Sequence, residues 1–180
     1  MNKTLKLALV LFLICAITAG VLGGVNELTK QRIYEIKNAT TIAAYAAVLE
    51  ADGFDTVAYD TAVFPTVSKV SQATNGAGHV VELDFSGAQG MIKMAVGVSP
   101  DYTCTGISII EHSETSGLGA NAAADSDIGR SFRAQFVGED ETIALSKAGG
   151  NIDALAGATI TSNAVTQAVA AAIQVVKSLG

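Results

Sequence analysis

Two short segments of this chain spend glycine and hydroxyl residues where a packed core needs neither. Asp153–Ser162 reads DALAGATITS and Glu111–Gly119 reads EHSETSGLG. In the first, Ala156, Gly157 and Ala158 carry almost no side chain, so a ligand can approach the backbone closely. Thr159, Thr161 and Ser162 follow at the expected mouth of a final helix, where unpaired N–H groups and the positive end of the helix dipole favour an anion such as phosphate. A tight loop ending in a Thr/Ser helix cap accounts for the same residues by spacing alone. In the second segment, Gly117 and Gly119 flank Leu118 and permit sharp turns beside a ligand, with Glu114 and Thr115 offering an acceptor and a hydroxyl. A glycine-rich connection from strand to helix is the plainer alternative. His112 has no acid, base or nucleophile beside it in sequence and reads as a strand-end surface residue.

The elements that must position these segments form an α+β pattern. Leu7–Val25 is an uncharged run behind Lys3 and Lys6, just long enough to cross a bilayer as a helix. The expected organisation is a basic leader over 1–6, a transmembrane anchor over 7–25 and one domain over 26–180. A cleaved signal peptide with Val21 and Gly23 at its end, or a lipoprotein signal using Cys15, fits the segment less well. The run is long for the first, and Ile14 is bulky for the second. Lys30, Arg32 and Lys37 balance Lys3 and Lys6, so charge counting leaves the sidedness open. The tiny basic leader places the large domain outside the cytoplasm.

Apolar spacing predicts a second helix over 26–49, ended by Asp52-Gly53, then loops over 54–78. Three β-like runs follow, His79–Phe85, Met91–Val98 and Cys104–Glu111. Their short, turn-rich connectors predict an antiparallel meander. Helices are expected over Asp125–Phe136, with Ile128, Phe132 and Phe136 on one face, and over Thr161–Leu179.

Composition narrows the function classes. The chain is 49% hydrophobic and 16% charged, with 11 basic against 17 acidic residues and a net charge of −6. That balance lacks the basic footprint of a nucleic-acid binder. Two cysteines, Cys15 and Cys104, and two histidines without a CxxC or paired spacing argue against a metal centre built by this chain alone. No strand is followed by GxGxxG, so the chain offers no nicotinamide-nucleotide site.

ETSGLG, then FRAQFVG (Phe132–Gly138), then D-x-x-A-GAT-x-TS, in that order, resembles the FMN-binding domain family. That family includes the G subunit of the Rnf electron-transport complex and the C subunit of the sodium-translocating NADH:quinone reductase. Chain length fits the former better, and a stand-alone extracytoplasmic flavoprotein is a further possibility. The resemblance implies covalent FMN, esterified through its phosphate to Thr159 by a separate flavin transferase that reads a motif beginning at Asp153. It further implies that Thr161 and Ser162 line the phosphate with Gly157 and Ala158. Glu114, Thr115, Gly117, Leu118 and Gly119 would lie against the flavin. Two positions depart from the pattern: Ala156 stands where the family has Ser or Thr, and Ser116 where it has Pro. The implied role is an electron carrier at the inner membrane, working with the other membrane subunits of an Rnf-type complex and not catalytic alone. A non-redox membrane-anchored binding module is the alternative outside this class.

Overall fold

The computed structural model describes residues 3–180, with backbone alone at positions 3–5, 31 and 34; Met1 and Asn2 of the expected leader lie outside the described residues. The chain divides into two units, Met1–Thr40 and Thr41–Gly180.

The first unit is helical throughout its described residues. The expected anchor and the helix after it are one element, α1 (Lys3–Val48). Gly20, Gly23 and Gly24 weaken the ladder without removing a donor, and neither of the chain's prolines, Pro65 and Pro100, falls inside it. Thr18, inside the apolar run, returns its hydroxyl to the carbonyl of Ile14 (2.9 Å), and Thr29, just beyond the run, to that of Val25 (2.8 Å), so both polar groups are satisfied along the helix. Leu7, Phe12, Ile17 and Leu22 are exposed, and the helix is long and apolar enough to cross a membrane.

The second unit is an α+β domain built on one antiparallel sheet whose strands follow chain order. These are β1 (Phe54–Val57), β2 (Val67–Ala73), β3 (His79–Ser86), β4 (Met91–Val98) and β5 (Cys104–His112). The last three lie where turn signals predict them. The first two occupy a stretch expected to be loop: β1 is a four-residue edge strand with Asp55 and Thr56 exposed, and β2 is covered on both faces. Val70 and Ser71 are neighbours in sequence and both buried, on opposite faces, so β2 shows no apolar alternation.

One face, carrying Val81, Leu83, Met94, Val96 and Val98, packs with Val165, Val169, Ala172 and Ile173 of the final helix, α3 (Thr159–Lys177). The other, carrying Val80 and Ala95, receives Ala44, Tyr45 and Val48 from the end of α1. On that face Tyr45 donates to Glu82 (2.6 Å), whose second oxygen pairs with Lys93 at 3.0 Å. Burial and the Glu82 carboxylate push the Tyr45 hydroxyl above its ordinary pKa, and Lys93 is raised by the same partner.

Between sheet and α3 in the chain runs a shorter helix, α2 (Asp127–Ala134), capped by Ser126 accepting from the Gly129 N–H. It is two residues shorter at each end than apolar spacing predicts. Phe132 and Phe136 are buried edge to face with centroids 5.2 Å apart, but Ile128 is exposed. The cap fixes where the two-turn helix starts, and Phe136 reaches the core from the turn beyond it.

Phe132→Ala should destabilise the domain by about 3–5 kcal/mol, since it empties a fully enclosed ring site. Urea denaturation of the full chain in detergent, followed by far-ultraviolet circular dichroism, measures this; a loss below about 1 kcal/mol contradicts the packing described.

Candidate functional site

The α3 helix begins two residues earlier than a hydroxyl cap predicts. Its N-cap is Ala158, with φ −130° and ψ 40°, and no side chain caps the first turn. The leading N–H groups of that turn are therefore left for solvent or a ligand. Gly157 precedes the cap at φ +72°, a backbone setting that suits glycine.

The three hydroxyls of this segment divide by direction. Ser162 is fully buried; its Oγ accepts from the Leu155 N–H (3.0 Å) and donates to the Ala158 carbonyl (2.9 Å). Thr161 is buried too and donates to Glu114 Oε2. Thr159, the first helical residue, is exposed and makes no side-chain hydrogen bond to the described residues. Thr161 and Ser162 thus fix the loop from inside, and Thr159 alone of the three presents its hydroxyl outward.

The partner loop leaves β5 at His112, whose Nδ1 accepts the Glu114 N–H at 3.3 Å. Glu114 is buried. One carboxylate oxygen accepts from the Gln89 N–H (2.9 Å) in the β3–β4 turn, and the other accepts from Thr161. Burial works to raise the Glu114 pKa, but the N–H of Gln89, the Thr161 hydroxyl and the N–H groups of Gly90 and Ala88 outweigh it. The carboxyl is held below its ordinary range.

Beyond Glu114, Thr115, Ser116, Gly117 and Leu118 are exposed and Gly119 is buried. Gly117 turns at φ +79°, and its carbonyl accepts from Asn121 (3.0 Å). A methyl group added at Gly119 would strike Glu114 Oε2 and Thr161 Oγ1, and one at Gly157 would stand 3.0 Å from Leu118 Cδ2. The two chemistry-bearing segments of the sequence are therefore packed together, with Thr159 and Leu118 on their open side.

Asp153 is exposed, and its backbone is gripped by one side chain: Gln135 Oε1 accepts the Asp153 N–H (2.7 Å) and Gln135 Nε2 donates to its carbonyl (3.3 Å). A groove of about 370 Å³ runs beside this grip, lined by Ile128, Ser131, Asp153 and Ala156 among others. Sequence reasoning missed Gln135, although it lies inside the FRAQFVG run. It also missed the turn 87–90 as a partner of Glu114. In that turn a methyl group added at Gly87 would strike the Glu114 carboxylate and Ile92. Cys104 is buried in the core, with its thiol pushed up to about 12 by that burial.

Comparison with known proteins matches residues 87–174 to the FMN-binding domain, from the turn that holds Glu114 to the last turns of α3. The G subunit of an ion-translocating oxidoreductase complex from Methanosarcina acetivorans is 42% identical over 113 residues, 61% of this chain and 56% of that protein. The G subunit of a proton-translocating ferredoxin:NAD(+) oxidoreductase complex from Clostridium ljungdahlii is 42% identical over 100 residues, 53% of this chain and 51% of its own length. Against these two the chain spans about half the relative's length. The G subunit of the Na(+)-translocating ferredoxin:NAD(+) oxidoreductase complex from Acetobacterium woodii is 35% identical over 195 residues, 97% of this chain and 92% of that protein.

The depressed pKa of Glu114 has a stability consequence with a definite sign. A carboxyl whose folded pKa lies below its unfolded value, near 4.5, contributes stability that is present above that value and lost as pH falls through the folded one. Glu114→Gln removes this component. Its destabilisation relative to the native chain, read by urea denaturation, should be largest near neutrality and shrink below about pH 4.5. A pH-independent difference contradicts the assignment.

Proposed function

The chain belongs to the FMN-binding domain family, and from that premise we propose that it carries FMN covalently on Thr159 and relays electrons within an ion-translocating membrane complex. The observation that carries this reading is the division of hydroxyls at the start of α3. Thr161 and Ser162 are turned inward and hydrogen-bonded, and Thr159 stands exposed at an uncapped helix start.

The residues present fit the cofactor. A phosphate esterified to Thr159 would be held by the leading N–H groups and positive dipole of α3. Gly157 and the Gly117–Gly119 loop allow close approach of a ligand to the backbone. Ala156 is exposed and Ser116 lies on the open loop, so the two departures from the family pattern leave these features intact. Bound FMN supplies reversible one- and two-electron transfer. The chain's own contribution is to fix the tether, exclude water with Leu118 on one side, and hold the loop and helix in register. Among the described residues no carboxylate, histidine or cysteine hydrogen-bonds the Thr159 hydroxyl to activate it, in keeping with a transferase acting in trans that takes Asp153 as the start of its recognition segment.

The apolar run Leu7–Val25 of α1 serves as a single membrane anchor, with the domain on the extracytoplasmic side, where a covalent tether prevents loss of the flavin by dilution. The partners are the other membrane subunits of an Rnf-type complex; that the relatives are named as G subunits of ion-translocating oxidoreductase complexes supports this reading.

Co-expression with a flavin transferase should give a denatured band that fluoresces under ultraviolet light. Thr159→Ala should be dark, with stability changed by no more than about 0.5 kcal/mol, as for an exposed side chain. Covalent flavin on that variant overturns the attachment site. Alkaline carbonate should leave the full chain in the membrane pellet. Release of a mature form beginning near Gly24 overturns the anchor.

A further inference from the structure

We infer that Glu114 is a positioning residue: its buried carboxylate fastens the 87–90 turn and the 113–119 loop to the first turn of α3, and so holds Thr159 and the glycine loop in the arrangement that accepts the flavin. The inference rests on the reading of Thr159 as the attachment residue. Three parts of the chain, far apart in sequence, meet at this one residue. Gln89 donates its N–H to Oε1 from the β3–β4 turn, Thr161 donates its hydroxyl to Oε2 from α3, and His112 accepts the Glu114 N–H at the end of β5.

Two glycines make room for the carboxylate. Methyl groups added at Gly87 and Gly119 would strike opposite oxygens of Glu114, and the one at Gly119 would also strike the Thr161 hydroxyl. The Glu114 side chain is the obstacle common to both places. Among the described residues Glu114 has no cation as a hydrogen-bonding partner, so it is held by dipoles. Such an arrangement is directional: each donor must point at the carboxylate, which fixes the turn, the loop and the helix start relative to one another. Thr159 lies two residues from Thr161 on the same helical turn, so the presentation of its hydroxyl follows the position of Thr161. Glu114 therefore works through Thr161 and does not itself need to touch the flavin.

The test uses the full chain in detergent, a flavin transferase and FAD, with the transfer rate followed against acceptor concentration. Glu114→Ala should raise the apparent KM for the acceptor about tenfold with kcat little changed, because only a fraction of molecules then presents the site correctly. Thr161→Val should act in the same direction, and the double variant should be no worse than Glu114→Ala, since both remove one contact. A fall in the final extent of labelling at constant KM would mark simple loss of folded protein and overturn the inference. So would additive effects, or variants labelled as fast as the native chain.

Should Glu114→Ala fail to fold, Thr161→Val and Gly119→Ala carry the same test, the latter by pushing the carboxylate and hydroxyl apart. Amide hydrogen exchange gives a flavin-free readout: Ala88, Gln89 and Gly90 should exchange faster in these variants while the centre of β3 is unchanged. Absence of flavin on the native chain overturns the Thr159 reading, and this inference with it. Equal labelling of all variants overturns the inference alone.

Discussion

A five-stranded sheet buried on both faces needs two covers, and this chain draws one from each side of the sheet in sequence. The last turns of α1 bring Ala44, Tyr45 and Val48 to one face, and α3 brings Val165, Val169, Ala172 and Ile173 to the other. The second packing decides where the first turn of α3 stands, because its buried stripe admits one rotation of the helix over the strands. Thr159, Thr161 and Ser162 occupy that first turn, so the direction of each hydroxyl follows from core packing further along the helix. Thr161 and Ser162 fall on the inward side and Thr159 on the outward side.

The two faces handle buried carboxylates differently. Glu82, under α1, is paired with the half-exposed ammonium of Lys93 and accepts from Tyr45. Glu114, under α3, accepts from backbone N–H groups and a threonine hydroxyl. A salt bridge tolerates movement of a long lysine stem, whereas a carboxylate held by backbone dipoles fixes the segments that supply them. The rigid solution lies at the site and the tolerant one on the far face. The chain is acidic overall, at a net charge of −6, and its proposed anion site draws on helix N–H groups and not on basic side chains.

How much of this was legible in the residues depends on whether a signal was local. Strands β3 to β5 were readable because Gly- and Pro-containing turns bound them and their lengths match across the meander. Strand β1 was not, being four residues at the sheet edge with Asp55 and Thr56 exposed, and neither was β2, since a strand covered on both faces need not alternate and Ser71 beside Val70 looks like loop. The join of the anchor to the following helix was hidden by a cluster of glycines that thin a helix without ending it. At the site, the ordered motifs pointed to the two segments that the fold packs together. The start of α3 lies two residues before the Thr-Ser cap signal, because Ala158 caps the helix without a side-chain hydrogen bond. Gln135 and the 87–90 turn were illegible for a different reason. Their contacts to Asp153 and Glu114 cross 18 and 25 residues of chain, and no local pattern encodes a partner at that distance.

Thr159, and no other hydroxyl of this region, is the proposed bearer of the flavin. Cleavage after Lys147 and Lys177 releases one peptide, Ala148–Lys177, that contains Thr159, Thr161, Ser162 and Thr166 together. Tandem mass spectrometry of that peptide, from chain matured with a flavin transferase, locates the modification among these residues. The FMN phosphoester is expected on Thr159, with Thr161, Ser162 and Thr166 unmodified. Flavin on Thr161 or Ser162 would contradict it, since those side chains are buried and already engaged, and an unmodified peptide from chain that retains covalent flavin would place the site elsewhere altogether.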